Sequence, residues 1–330
     1  MLFHINNMSI KVQVLSLIFL SLIVLGTVTS ISSVYKSKDA LMQNNFSQLK
    51  TVRDLKKSQI EDFFITSIAS LNVISNSNNV GYLADDLFRL EEKMEVTPNK
   101  EFPISDPLVQ ETIEPYDKFF KSFVQEYGYK DILLVNATSG QVMYSAKKQE
   151  DFGANLKTGN LKSSALAEVY LSTIKNNRAT YVDMRPYEPS NNEPMMFVGI
   201  PILVEDALNS ILVLEIAGSS INKVMQTRIG YGATQEDYLV GHDHLMRSDS
   251  YLDEKHHSIL SSFANPQQGS IKTDPANKAL KGENGTGIFT EYNGEQILSA
   301  YSTIKIGEDL SWAILSVINE DEVLITPNEI

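Results

Sequence analysis

The first feature of the chain is a run of apolar residues near its start. Residues 12–35 contain no charged side chain, and the densest part reads Val-Gln-Val-Leu-Ser-Leu-Ile-Phe-Leu-Ser-Leu-Ile-Val-Leu over residues 12–25. A helix needs about 20 mainly apolar residues to cross a bilayer. Continued by Val28, Ile31 and Val34, the run meets that length and predicts a transmembrane helix over 12–35, with residues 1–11 in the cytoplasm. A cleaved signal peptide is the competing reading, with Lys11 and His4 as its polar head and small residues at 26–30 as its cleavage site. Helical periodicity runs on past that point, which favours an uncleaved anchor.

Beyond the membrane, apolar residues recur at helical steps: Leu41, Leu49, Val52, Ile60, Phe63, Phe64, Ile68, Leu71 and Ile74. No Gly or Pro interrupts residues 35–79. About 40 such residues would reach about 60 Å. The polar stretch 76–79 with Gly81 predicts a break, then a second helix through Leu83, Leu87 and Leu90. Residues 36–97 are therefore expected to be stalk and entry helices. A long helix leaving a membrane commonly packs against a second copy, so a homodimer through these helices is expected near the membrane, with packing against the chain's own domain farther out. Pro98, Pro103 and Pro107 follow, and Asp106-Pro107 has the form of a helix cap and first turn.

The remainder repeats one plan. Asp131 to Val135, a polar turn at 136–140, and residues 141–145 read as strand, turn, strand. The same pattern recurs at 237–240, 241–244 and 245–250. Both copies also end alike. Residues 194–203, a turn at 205–209 and residues 210–216 match residues 296–302, a turn at 307–309 and residues 312–318. Between the hairpins lie a helical stretch at 163–175 with a strand at 180–184, and a shorter patch at 253–263 with a strand at 287–292. Two strands, helices and three more strands give an α+β fold: two tandem PAS-like modules with antiparallel sheets behind a long N-terminal helix. The expected boundaries are 98–217 for the membrane-distal module and 218–325 for the membrane-proximal one. Such sheets leave a cavity where small ligands sit.

Anchor, long helix and two PAS-like modules, with the phrases at 187–194 (Tyr-Glu-Pro-Ser-Asn-Asn-Glu-Pro), 238–241 (Tyr-Leu-Val-Gly) and 245–250 (Leu-Met-Arg-Ser-Asp-Ser), resemble the double Cache sensor of bacterial methyl-accepting chemotaxis proteins. The resemblance covers about residues 9–325. It implies a ligand-sensing region in the periplasm, held by one span in the inner membrane. The same sensor also precedes histidine kinases and cyclic-dinucleotide enzymes. An Arg-x-Trp-Tyr phrase marks the amino-acid-binding branch; here the only tryptophan is Trp312, which argues against amino-acid recognition by that mode. Receptors of this family continue into a second span, which is expected to begin near residues 326–330.

Composition narrows the chemistry. The net charge of −13 disfavours nucleic acid, whose phosphates are bound through clustered Lys and Arg. The absence of cysteine removes thiolate catalysis, disulfides and Cys-ligated metals. No nucleophile motif or paired-carboxylate signature stands out, and 282–287 lacks the lysine of a phosphate-binding loop. The chain is therefore expected to be a binding protein without cofactor and not an enzyme; an exported solute-binding protein is a less favoured alternative. The expected ligand is a small polar molecule in the distal module. The residues expected to meet it are Asp183, Arg185, Tyr187 and Ser190 on a loop fixed by Pro186 and Pro189, with Arg185 reaching a carboxylate. Tyr144, Tyr170 and Phe197 lie on elements that face the same space. His242 and His244 have the residue types of a metal pair, but their turn explains them equally and no third ligand is visible. Arg247 and Asp249, two apart on one strand, are expected to form an ion pair.

Overall fold

A computed structural model describes residues 9–204 and 207–324. Helix α1 (Ile10–Ser75) runs unbroken for 66 residues, about 100 Å. It is the one helix among the described residues long and apolar enough to cross a membrane, and its apolar window is wholly unburied by protein. Its polar side chains there are satisfied internally. The hydroxyls of Ser16, Ser21 and Thr27 donate to the carbonyls of Gln13, Ile18 and Val24 at 2.8–2.9 Å. A bilayer offers no other partner.

From Met42 onward α1 is buried on one side by the rest of the chain, through Leu49, Ile60, Phe64, Leu71 and Ile74. The buried stripe differs from the apolar one expected. Leu41 is exposed, Val52 is half-buried, and the charged Arg53 and Lys56 are buried instead. They earn that place by polar contacts. Arg53 Nη1 donates to the Tyr301 carbonyl at 2.8 Å, and Lys56 Nζ to the Met225 carbonyl at 2.6 Å. Lys56 also pairs with the buried Asp237 at 2.7 Å.

Ser77 caps α2 (Asn78–Lys93), and Asp106 caps α3 (Pro107–Tyr127) by accepting from the Leu108 N–H at 2.9 Å. Helix α3 ends at Gly128, whose φ of 73° is left-handed backbone that glycine adopts without strain. Five antiparallel strands follow in the spatial order β2-β1-β5-β4-β3. They are β1 (Asp131–Asn136), β2 (Val142–Ser145), β3 (Thr180–Tyr187), β4 (Glu193–Val204) and β5 (Ala207–Ala217), with α4 (Ala165–Asn176) between β2 and β3. Alternation along each strand divides the side chains. Ile132, Leu134, Leu212, Leu214 and Ile216 join the core made with α1, α2 and α3. Leu133, Val135, Ile211 and Val213 join the core made with α4.

Strand β3 runs three residues past the expected end at 184, straight through Pro186. As an edge strand it loses no ladder bond to the missing N–H. The expected loop at 183–190 thus shrinks to a 3₁₀ turn at Glu188–Ser190. Residues 205–206, within the turn expected at 205–209, lie outside the described residues, as do 1–8 and the segment 326–330.

Helix α5 (Gly218–Met225) leads to a second antiparallel sheet, β6-β9-β8-β7, built from β6 (Glu236–Val240), β7 (Gly285–Thr290), β8 (Gln296–Ile306) and β9 (Leu310–Asn319). The short helices α6 (Glu254–His257), α7 (Ile259–Ala264), α8 (Pro266–Gly269) and α9 (Asp274–Leu280) lie between β6 and β7, and α10 (Glu320–Leu324) closes the described chain. The second strand expected at 245–250 does not form. Only a single bridge, Val240 to Met246, remains. There the Ser248 hydroxyl takes the Leu239 N–H at 3.0 Å, so a side chain replaces the next ladder bond.

Candidate functional site

On the α4 face of the first sheet, register places Asp131 opposite Glu215, Glu215 opposite Phe197 and Phe197 opposite Val182. Asp151, in the segment after β2, closes over this row. Asp131, Asp151 and Glu215 are each wholly buried, and each offers a carboxylate oxygen within 4.8 Å of the other two.

Asp131 is held through both of its oxygens, Asp151 and Glu215 through one each. Asp131 accepts from the Ser145 hydroxyl at 2.6 Å and from the Ile132 and Lys147 N–H groups at 2.7 and 3.0 Å. Asp151 Oδ2 accepts from the Tyr187 hydroxyl at 2.8 Å, and Glu215 Oε1 from Ser190 at 2.6 Å. Asp151 Oδ1 and Glu215 Oε2 have no donor, nor does the buried Oε1 of Gln149. Burial raises all three acids, and the repulsion of Asp151 lifts the other two further, Asp131 to about 7 and Glu215 to about 8. Burial and the adjacent carboxylates hold the Tyr187 phenol far above its ordinary range, so it stays a donor. A cluster of buried acids short of donors favours a positive charge among them.

Of the residues proposed from sequence, Tyr187, Ser190 and Phe197 meet here, Tyr187 and Phe197 edge to face at 4.9 Å. Val182 and Tyr187 share this face although five positions apart, because the register shifts between Val182 and Arg185. Tyr144 packs on the opposite face, against Phe120, with its hydroxyl on Asp117 at 3.1 Å. Tyr170 stands in α4 and donates to the Ala137 carbonyl at 2.9 Å. Arg185 is exposed and pairs with Glu168 of α4. Asp183 points to the second sheet, where it receives Arg247 through Nε at 2.9 Å and Nη2 at 2.7 Å, and the Trp312 indole at 3.0 Å. Arg247 therefore pairs with Asp183 and Asp243, not with Asp249, which bonds Asn222 at 2.6 Å. Gly241 is required beside it, since a Cβ there would collide with the guanidinium. His242 contacts Ser311 at 3.0 Å, and no ligand cluster includes it or His244 among the described residues.

Sequence reasoning missed the three acids. Two of them carry a signal, a charge inside an otherwise apolar strand: Asp131 before Ile-Leu-Leu-Val, and Glu215 within Leu-Val-Leu-Glu-Ile; Asp151, in a polar segment, carries none.

The second sheet has a partial counterpart. Glu236 accepts from Ser250 at 2.8 Å and from the Tyr251 and Leu252 N–H groups at 2.9 and 3.2 Å. Tyr238 donates to Glu291 at 2.7 Å, and the His257 ring lies 4.1 Å from that of Tyr292. Burial, with Glu236 nearby, pushes Glu291 up to about 7.

No protein-family model and no curated protein sequence matches the chain. Solved structures do. The ligand-binding domain of the Campylobacter jejuni chemoreceptor Tlp3, bound to 4-methylisoleucine, is 14% identical, with a TM-score of 0.55 over 87% of this chain and 95% of that one. The ligand-binding domain of the Pseudomonas aeruginosa chemoreceptor PctB with L-Gln is 12% identical, with a TM-score of 0.52 over 86% and 95%. The extracellular domain of vpHK1S-Z8, described as a histidine kinase, is 15% identical, with a TM-score of 0.53 over 89% and 98%. The chain has the double Cache fold of these sensory domains.

Proposed function

We propose that this chain is the extracytoplasmic sensory region of a bacterial transmembrane receptor of the chemoreceptor kind. It is anchored by residues 12–35, binds a small polar solute in a distal module (98–217), and passes the signal along helices of a homodimer beside a proximal module (218–325). The observation that carries the reading is α1 itself. One unbroken helix joins the apolar span to both sheets, contacting the second through Arg53 and Lys56 and the first core through Phe64, Leu71 and Ile74. A ligand that shifts the first sheet therefore acts on the rod that enters the membrane, by as much as its affinity differs between the two states. The fold shared with vpHK1S-Z8 supports a histidine-kinase sensor as the second reading.

The chain lacks cysteine, so one introduced thiol reports topology. Lys118→Cys on exposed α3 is expected to react with a membrane-impermeant maleimide in intact cells with a permeabilised outer membrane. For function, the chain joined to the second span and signalling half of a chemoreceptor is expected to change swimming bias when a solute that raises its Tm is added. A chimera that is inserted and folded but silent to every stabilising solute would overturn the reading.

A further inference from the structure

We propose that the distal site holds a divalent, oxygen-preferring cation of the calcium class between Asp131, Asp151 and Glu215. The proposal deepens the sensory reading above and rests on the distal module being its ligand-binding lobe.

Geometry comes first. Three oxygens mutually within 4.8 Å share a centre no farther than about 2.8 Å from each, the 4.8 Å limit divided by √3. A contraction of a few tenths of an ångström reaches the calcium–oxygen range of about 2.3–2.6 Å, whereas magnesium at about 2.0–2.1 Å demands a tighter, more regular shell. Donor type points the same way, because carboxylates without His or Cys suit a hard ion.

The free atoms are a second, separate observation. Asp151 and Glu215 are wholly buried, yet Asp151 Oδ1 and Glu215 Oε2 have no donor. Both are carboxyl oxygens. A buried acceptor without a partner is costly, and one cation shared between the two answers both. Tyr187 and Ser190 meanwhile hold the opposite oxygens of Asp151 and Glu215, and Ser145 steadies Asp131, which is how the outer shell of a metal site fixes its ligands.

Charge decides between a metal ion and an organic ammonium. A divalent ion offers the acid cluster two positive charges where an ammonium offers one. Lys130, whose charge acts on Glu215, offsets part of the remainder. The second sheet carries Val317 opposite Glu236 where the first carries Glu215 opposite Asp131, so the three-acid set is a property of the distal module.

The test uses the whole chain in detergent, stripped with EDTA, and follows thermal unfolding against CaCl2, MgCl2 and butylammonium chloride. Calcium is expected to raise the wild-type Tm saturably, and Asp151→Asn to weaken the apparent affinity at least about ten-fold. Arg185→Ala is expected to keep the wild-type response. Terbium luminescence, sensitised by Tyr187 and displaced by calcium at one site per chain, reads the same site on the wild type should Asp151→Asn fail to fold. No calcium response in the wild type, or an equal one in folded Asp151→Asn, would overturn the proposal. A response to butylammonium alone would overturn it too, while leaving the sensory reading intact. Calcium binding with a silent chimera would support the site and remove the sensory reading.

Discussion

The two sheets solve one problem differently. Each begins its first strand with a buried acid, Asp131 or Glu236, tied to a serine fourteen residues later, Ser145 or Ser250, and to following backbone N–H groups. In the second sheet the neighbouring positions quiet the charge: Val317 stands opposite Glu236, and Tyr238 donates to Glu291. In the first, Glu215 stands opposite Asp131 and Asp151 closes over both, leaving carboxylate oxygens without donors. The second sheet spends its charges elsewhere, on α1, where Asp237 takes Lys56 and the Tyr301 carbonyl takes Arg53. One framework thus gathers buried acids at one end and grips the stalk at the other.

That contrast breaks first at the stalk. Lys56→Met leaves Asp237 buried without its cation and is expected to cost about 3–5 kcal/mol. Urea unfolding measures it, and adding Asp237→Asn should recover most of the loss. A cost below about 1 kcal/mol would deny the second sheet its gripping role. Next comes the tie between the sheets. Asp183→Ala leaves a nearly buried Arg247 with Asp243 as its one carboxylate and should cost about 2–4 kcal/mol, the low end reflecting the partial exposure of Asp183 and the partner that remains. It should also weaken any effect of distal ligand on the proximal module, seen by hydrogen exchange in β9.

A third test sharpens the electrostatic side. Glu291 titrates near 7 when folded against about 4.5 unfolded, so the native state binds the extra proton between those values. The stability it contributes is fully present below about pH 4.5 and is lost as pH rises through 7. Glu291→Gln should flatten the fall in stability from pH 5 to pH 8 by on the order of 2 kcal/mol, read from paired urea titrations. A slope unchanged by the substitution would show that burial does not hold Glu291 above its ordinary range. The smallest effect is expected at Arg185. Its pair with Glu168 is exposed, so Arg185→Ala should cost about 0–1 kcal/mol and leave ligand affinity in place. Loss of binding would instead return the site to the position expected from sequence.

Patterns set by local spacing were legible from the sequence: the long apolar helix and its unbroken continuation, the cap at Asp106, and the hairpins other than the one expected at 237–250. Tyr187, Ser190 and Phe197 were also legible as a group, because a short proline-punctuated segment and a neighbouring strand carry them. Other features needed the tertiary structure. Asp131, Asp151 and Glu215 meet only because β1 pairs with β5 and the segment after β2 folds over them. Asp183 and Arg185, two positions apart, part company at the irregularity in β3, one toward Arg247 of the second sheet and the other toward Glu168. Lys56 looks solvent-facing by type and is buried because an acid on another strand waits for it. Periodicity is a property of neighbours along the chain. Whether a charge is buried depends on which distant group lies across from it, and that is decided only when the sheets assemble.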